Sequence, residues 1–216
     1  MNLNLALGIS LFFLLTGCVN VTDKNYYASL PEEQLLHVAD SLAHTYIITD
    51  GHVDLPYRLK IKRFTLDREY LGIPISTTEG DFDYERARKG GLDAPFMSIY
   101  IPSRYQRQPD NGKALADSLI NMIEGIVQAH PDKFALARTP AEIQANTQAG
   151  KISLPLGMEN GAPVGNDLKN VKYFFDRGIR YITLTHGRDN QICDSSYDST
   201  ATWSGLSPFG EQVVAD

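Results

Sequence analysis

The sequence predicts an α/β protein built on a parallel sheet. Three observations carry that prediction. Apolar, strand-like runs alternate with amphipathic, helix-like segments at βα spacing. The runs are apolar on both faces, as strands covered by helices on each side must be. Several runs also finish on polar residues of acid–base or metal-ligating type at one and the same end. The alternation alone fits either an open doubly wound sheet or a (β/α)8 barrel.

The elements follow in order. Residues 19–30 read as a polar tether. "PEEQLLHVADSLAHTY" (31–46) is a helix, with Pro31 at its first position and acids in its first turn. His37 and His44 lie seven apart and share one helix face, which reads as two half-exposed histidines, since no third ligand joins them. "ITDGHVDLP" (48–56) is a strand stopped by proline, and residues 57–81 form a long irregular insertion. "DYERARKGG" (83–91) is a short helix ended by glycine, and "APFMSIYIP" (94–102) is a strand. In "NGKALADSLINMIEGIVQAHP" (111–131), Leu115, Leu119, Met122, Ile123 and Ile126 fall at helical spacing and form a core-facing stripe. His130 closes that helix, where its partial positive charge suits the dipole.

"KFALAR" (133–138) is a short strand. "TPAEIQANTQAG" (139–150) is a helix capped by Thr139, with Pro140 first and Gly150 as its stop. "KISLPLGME" (151–159) is a strand, "NDLKNVKYFFDRG" (166–178) a helix and "IRYITLTH" (179–186) a strand. "SPFGEQVVAD" (207–216) opens a last helix with Ser207 as its cap.

Bulk properties bound the function. The chain has 216 residues, 43% of them hydrophobic, enough for a sizeable core in one domain. Net charge is −6 and no basic run exceeds "KIKR" (60–63), so nucleic acid is excluded as a partner. No G-x-G-x-x-G follows the first strand, which argues against a dinucleotide site. "LALGISLFFLL" (5–15) is too short to span a bilayer and reads as a signal-peptide core. It ends in "LTGC" (15–18), which resembles a bacterial lipobox, although the leader "MNLN" carries no positive charge. The expectation is therefore a signal peptide over 1–17, a lipid on Cys18, a tether over 18–30, and an exported bacterial lipoprotein held at a membrane of the cell envelope. The second cysteine, Cys193, then has no intrachain partner and reads as a small structural residue.

Three strands end on polar groups that metal and acid–base chemistry use: His52 and Asp54, then Glu159, then His186. A His-x-Asp pair at period two puts both side chains on one side of a strand, where they can bind one cation. In a (β/α)8 barrel the C-terminal strand ends converge on a single site. Asp50 precedes a glycine and reads as structural.

The motif "DGHVDLPYRL" resembles the signature of the membrane dipeptidase family, the renal-dipeptidase-like zinc peptidases. The likeness continues in "GGLDAPFMSIYIP", "HPDKFALARTPAEIQ", "GKISLPLGMENG", "DRGIRYITLTH" and "GLSPFGEQVVAD", in order from about residue 35 onward. The resemblance implies a (β/α)8 barrel of TIM type over 31–216, with about the first five of its eight βα units in this chain. It implies two zinc ions in the complete site, His52 and Asp54 as ligands of one, and Glu159 as the carboxylate bridging both. It implies that His186 contacts the substrate and helps polarise the scissile carbonyl, and that a metal-activated water hydrolyses a dipeptide. A homodimer is left open.

The chain departs from the family at three places. Tyr57 stands where a Trp is frequent, "ENG" (159–161) replaces E-G-G, and "RDNQICDSSYD" (188–198) replaces the common loop while keeping Asn190, Asp194 and Ser195. The family's second-zinc histidines, and its substrate-holding arginine and aspartate, fall after the stretch seen here. The expectation is a partial metal-dependent dipeptidase that is inactive and aggregation-prone alone. The competing readings are an inactive truncated lipoprotein and another amidohydrolase-like metal hydrolase.

Overall fold

The computed structural model describes residues 24–61, 75–78 and 80–216. The leader and Cys18 lie outside the described residues, as does most of the 57–81 stretch. Residues 1–39 and 40–216 separate as two units. In the first, the expected tether carries a short helix, α1 (Lys24–Ala28), and α2 (Glu32–Thr45) begins after Pro31. No described helix is long and apolar enough to cross a membrane.

The second unit is the sheet with its helices. It continues with β1 (Ile48–Val53), α3 (Leu55–Ile61), α4 (Tyr84–Lys89), β2 (Leu92–Tyr100), a 3₁₀ turn (Ser103–Arg107) and α5 (Lys113–Ala129). Then come β3 (Phe134–Leu136), α6 (Pro140–Gln148), β4 (Ile152–Leu154) and β5 (Leu156–Glu159). A second 3₁₀ turn (Ala162–Val164), α7 (Lys169–Asp176), β6 (Ile179–Thr183) and α8 (Pro208–Ala215) complete it. Four strands form one all-parallel sheet in the order β1-β2-β5-β6, and β3 and β4 form a second parallel pair. Because every pairing in the large sheet is parallel, all four strands end on the same side, and that side collects the polar strand ends.

The helices form for local reasons. Asp83 caps α4 by accepting from the Arg86 amide at 2.9 Å. Thr139 and Glu142 make a reciprocal capping box at α6, with Pro140 in its first turn. Ser207 accepts from the Gly210 amide at 2.8 Å and starts α8. The stripe of α5 packs inward, with Leu119, Ile120, Ile123 and Ile126 fully buried beside Met97, Ile99 and Leu154 from the strands. A smaller cluster gathers Val164, Ile192, Cys193 and Val213, so Cys193 is a buried, unbonded thiol whose pKa burial pushes up.

Three expectations need correction. Residues 57–61 are not irregular but belong to α3, because Leu55 and Leu59 fall one turn apart and bury against the core. The predicted strand 151–159 is two strands, because Pro155 has no N–H to continue a ladder; its carbonyl instead accepts from Met97 N at 2.8 Å. Finally, β1 is not covered on both faces. It stands at the edge of the sheet, with Ile47 and Ile48 exposed, and among the described residues no strand pairs with its outer side.

Candidate metal centre

β1 delivers His52 near its end and Asp54 just past it. β5 ends on Glu159, and β2, lying between them, brings Tyr100 opposite Glu159 in register. One side-chain donor from each of His52, Asp54 and Glu159 falls within 4.8 Å of the other two. His52 Nε2 lies 3.3 Å from Asp54 Oδ1 and 3.3 Å from Glu159 Oε2. The second oxygen, Glu159 Oε1, lies 3.1 Å from His186 Nε2. Glu159 thus stands between two imidazoles and is the least exposed of the four at 16%, while His52 and His186 are each 41% exposed. His186 is not a strand residue: β6 ends at Thr183, and His186 follows in a turn held by Ser195 Oγ, which donates to the His186 carbonyl.

The surrounding groups fix these side chains. Ser98 Oγ donates to Glu159 Oε2 at 3.1 Å. The Tyr181 hydroxyl donates to Gly51 O at 2.9 Å and lies 3.4 Å from His52 Nδ1. With its one proton on Gly51 O, that hydroxyl faces Nδ1 as an acceptor. A ring proton on Nδ1 would meet that acceptor, and Nε2 faces the two carboxyl groups. Burial, then the charge of Glu159, pushes the phenols of both Tyr100 and Tyr181 up, so each stays protonated at neutral pH. Tyr100 packs edge-on against the His186 ring with centroids 5.1 Å apart. Asp50 Oδ1 accepts from His52 N at 2.9 Å, a structural role as expected.

The donor set fits a metal ion. Three lone-pair donors converge with edges of 3.3 Å along two sides. A tetrahedral ion with bonds of about 2.0–2.2 Å spaces its ligands roughly 3.3–3.6 Å apart. Two carboxyl groups converging on one imidazole nitrogen also make a point that suits a cation.

Sequence reasoning missed Ser98, Tyr100 and Tyr181. Ser98 and Tyr100 had a signal, since they alternate at the end of a strand as His52 and Asp54 do. Tyr181 had none, because it sits mid-strand and reaches Gly51 and His52 only across β5 and β2. It can do so because Gly157 has no side chain: a Cβ there would fall 2.0 Å from the Tyr181 ring.

A parallel α/β sheet with histidine and carboxylate donors gathered at its C-terminal strand ends defines an α/β protein with a candidate metal centre. The chain belongs to the membrane dipeptidase family, peptidase family M19, whose model matches residues 36–216. Among curated proteins it is 29% identical to a dipeptidase of Aspergillus terreus, covering 73% of this chain and 40% of that one. It is 27% identical to an uncharacterized dipeptidase of Schizosaccharomyces pombe, covering 94% and 50%. The chain therefore spans about half the length of the curated relatives it matches.

Solved structures share the fold. A probable dipeptidase from Pseudomonas aeruginosa superposes with a TM-score of 0.70 at 21% identity, covering 86% of this chain and 47% of that one. A metallopeptidase from Rhodobacter sphaeroides, solved with a phosphinate mimic of the dipeptide L-Ala-D-Ala, gives 0.65 at 21% identity, covering 78% and 55%. The partial parallel barrel expected from the sequence agrees with these neighbours.

Proposed function

We propose that this chain carries the first metal-binding half of a zinc-dependent dipeptidase site. The observation that supports it is the convergence of His52, Asp54 and Glu159 at the C-terminal ends of β1 and β5. In this reading His52 Nε2, Asp54 and Glu159 would hold one zinc ion, and Glu159 would also serve a second in the complete site. Bound zinc supplies Lewis-acid polarisation of water and of a carbonyl. Ser98 and Tyr181 keep Glu159 and His52 in place. His186, braced by Glu159 Oε1 and the Tyr100 ring, offers its imidazole to the substrate carbonyl. Dipeptides are the substrate class, consistent with the family and with the mimic bound by the Rhodobacter protein.

Calorimetric zinc titration tests the centre. The expected outcome is one zinc site in the 216-residue chain, weakened by at least about 100-fold in His52→Ala and in Glu159→Gln. Equal zinc affinity in all three proteins would remove the reading. We propose further that the chain is a lipoprotein anchored through Cys18, supported by "LTGC" after the apolar leader. Palmitate labelling that is lost in Cys18→Ala is the expected result, and unchanged labelling contradicts it.

A further inference from the structure

Beside the metal centre lies a second feature, a polar cleft of about 970 Å³ between the Ser103–Arg107 turn and the loop that follows His186. A 3₁₀ turn repeats every three residues, so Arg104 and Arg107 share one face, and both line the cleft. Gln106, on the neighbouring face, ties the turn to the loop by donating to Asp189 O at 2.8 Å.

The charges in this cleft are unevenly matched. Arg188 is ion-paired with Asp198 at 2.8 Å. The Asp189 carboxylate is taken up by the Ser195 amide, the Thr200 hydroxyl and both the amide and hydroxyl of Thr202. Both acids are thus committed within the loop. Arg104 instead donates to the Tyr57 hydroxyl at 2.8 Å and lies 5.0 Å over the Tyr105 ring, while Arg107 is exposed. Among the described residues neither guanidinium has a carboxylate partner, and each keeps donors for one.

The cleft adjoins the site. Tyr57 packs edge-on against Tyr100 at 5.2 Å, and Tyr100 against His186 at 5.1 Å, so two tyrosine rings in series link Arg104 to the histidine. A dipeptide extends roughly 7 Å, and a side chain from its second residue adds further reach. We propose that Arg104 and Arg107 form a carboxylate-accepting subsite that selects dipeptides whose C-terminal residue is acidic, Asp or Glu. Guanidinium forks match a carboxylate in geometry as well as charge. The inference rests on the dipeptide reading above.

The dipeptide's own α-carboxylate has the same chemistry, so the test holds it constant. Binding of Ala-Asp and Ala-Glu is compared with that of Ala-Asn and Ala-Gln, by calorimetry on the full 216-residue chain with zinc; hydrolysis of the same four is read separately. The expected result is at least about tenfold tighter binding of each acidic peptide than of its amide. The ratio is expected to fall to near one in the Arg104→Gln/Arg107→Gln double variant and to be partly kept in Arg107→Lys. Near-ultraviolet circular dichroism checks that the variants remain folded. Equal affinity for acid and amide overturns the proposal, as does a preference that survives in the folded double variant, and binding of none overturns it too. Selective binding without hydrolysis sustains the subsite while counting against the catalytic reading. Hydrolysis without acid preference does the reverse.

Discussion

Asn160 shows what a single residue contributes to this site. It follows Glu159 in the left-handed region at φ 79° and is fully buried. Glycine adopts that backbone freely, so backbone freedom does not explain an asparagine. Its side chain does. The amide nitrogen donates to Ile101 O at 2.8 Å and Gln106 Oε1 at 2.9 Å, while its oxygen accepts from Ala162 N and Asn190 Nδ2, both at 3.2 Å. One residue thereby ties the end of β5 to the turn after β2 and to the loop after β6. From sequence, "ENG" reads as a departure from the family's E-G-G. The structure makes it a joint, and nothing in the local pattern signals partners so far along the chain. Asn160→Gly is expected to lower stability by about 1–3 kcal/mol, read from urea unfolding, because buried groups lose their partners. An unchanged midpoint contradicts this account.

Asp189 makes a second prediction at this scale. Hydrogen bonds, first from the Ser195 amide and then from Thr200 and Thr202, hold its carboxyl at a pKa of about 2. A depressed native pKa stabilises the native form above the unfolded value of about 3.9. That contribution is complete above about pH 5 and is lost as pH falls toward about 2. Protection factors of the amides in residues 188–205, with the intrinsic pH dependence of exchange divided out, are expected to fall across that window in the wild type. In Asp189→Asn protection should already be low at pH 6 and change less on acidification; identical protection profiles would contradict the assignment.

At the scale of elements, the caps and stripes were legible because they are local. Thr139, Pro140 and Glu142 lie within one turn, and the apolar positions of α5 repeat every three or four residues. The beginning of α3 was not, because its two anchors, Leu55 and Leu59, give too short a pattern beside a proline. The break in the 151–159 strand was signalled by Pro155 and was overlooked within a continuous apolar run. The pairing of β2 directly with β5 was invisible, since register between distant strands leaves no local mark. This pairing sets the role of Gly157. Gly157→Ala is expected to drive Tyr181 off β5, freeing the His52 ring and weakening zinc binding by about 10–100-fold, as loss of an outer-shell partner does. A parallel loss in Tyr181→Phe, measured by the same titration, checks that the effect passes through the hydroxyl.

At the scale of the whole molecule, β1 has no strand partner on its outer side among the described residues. Tyr46, Ile47 and Ile48 are exposed at β1, and the Phe175 and Leu206 side chains also reach solvent. An apolar strand with free backbone groups on one side invites pairing with another chain. Ile48→Lys places a charge on that edge while leaving the three donors untouched. It is expected to reduce self-association measured by light scattering, and no change would show that association runs through another surface.

The long reach of Tyr181 also governs when the site can exist. Its hydroxyl meets Gly51 across 130 residues of chain, and Glu159 must first take its place between β2 and β6. Before β5 docks, His52 and Asp54 are a pair with too few donors to retain an ion. Only when β5 and β6 have docked does the third donor arrive and the histidine ring lock. Contacts so distant in sequence form late in folding, so uptake of the proposed zinc ion would serve as a clock, marking the moment at which β5 and β6 dock.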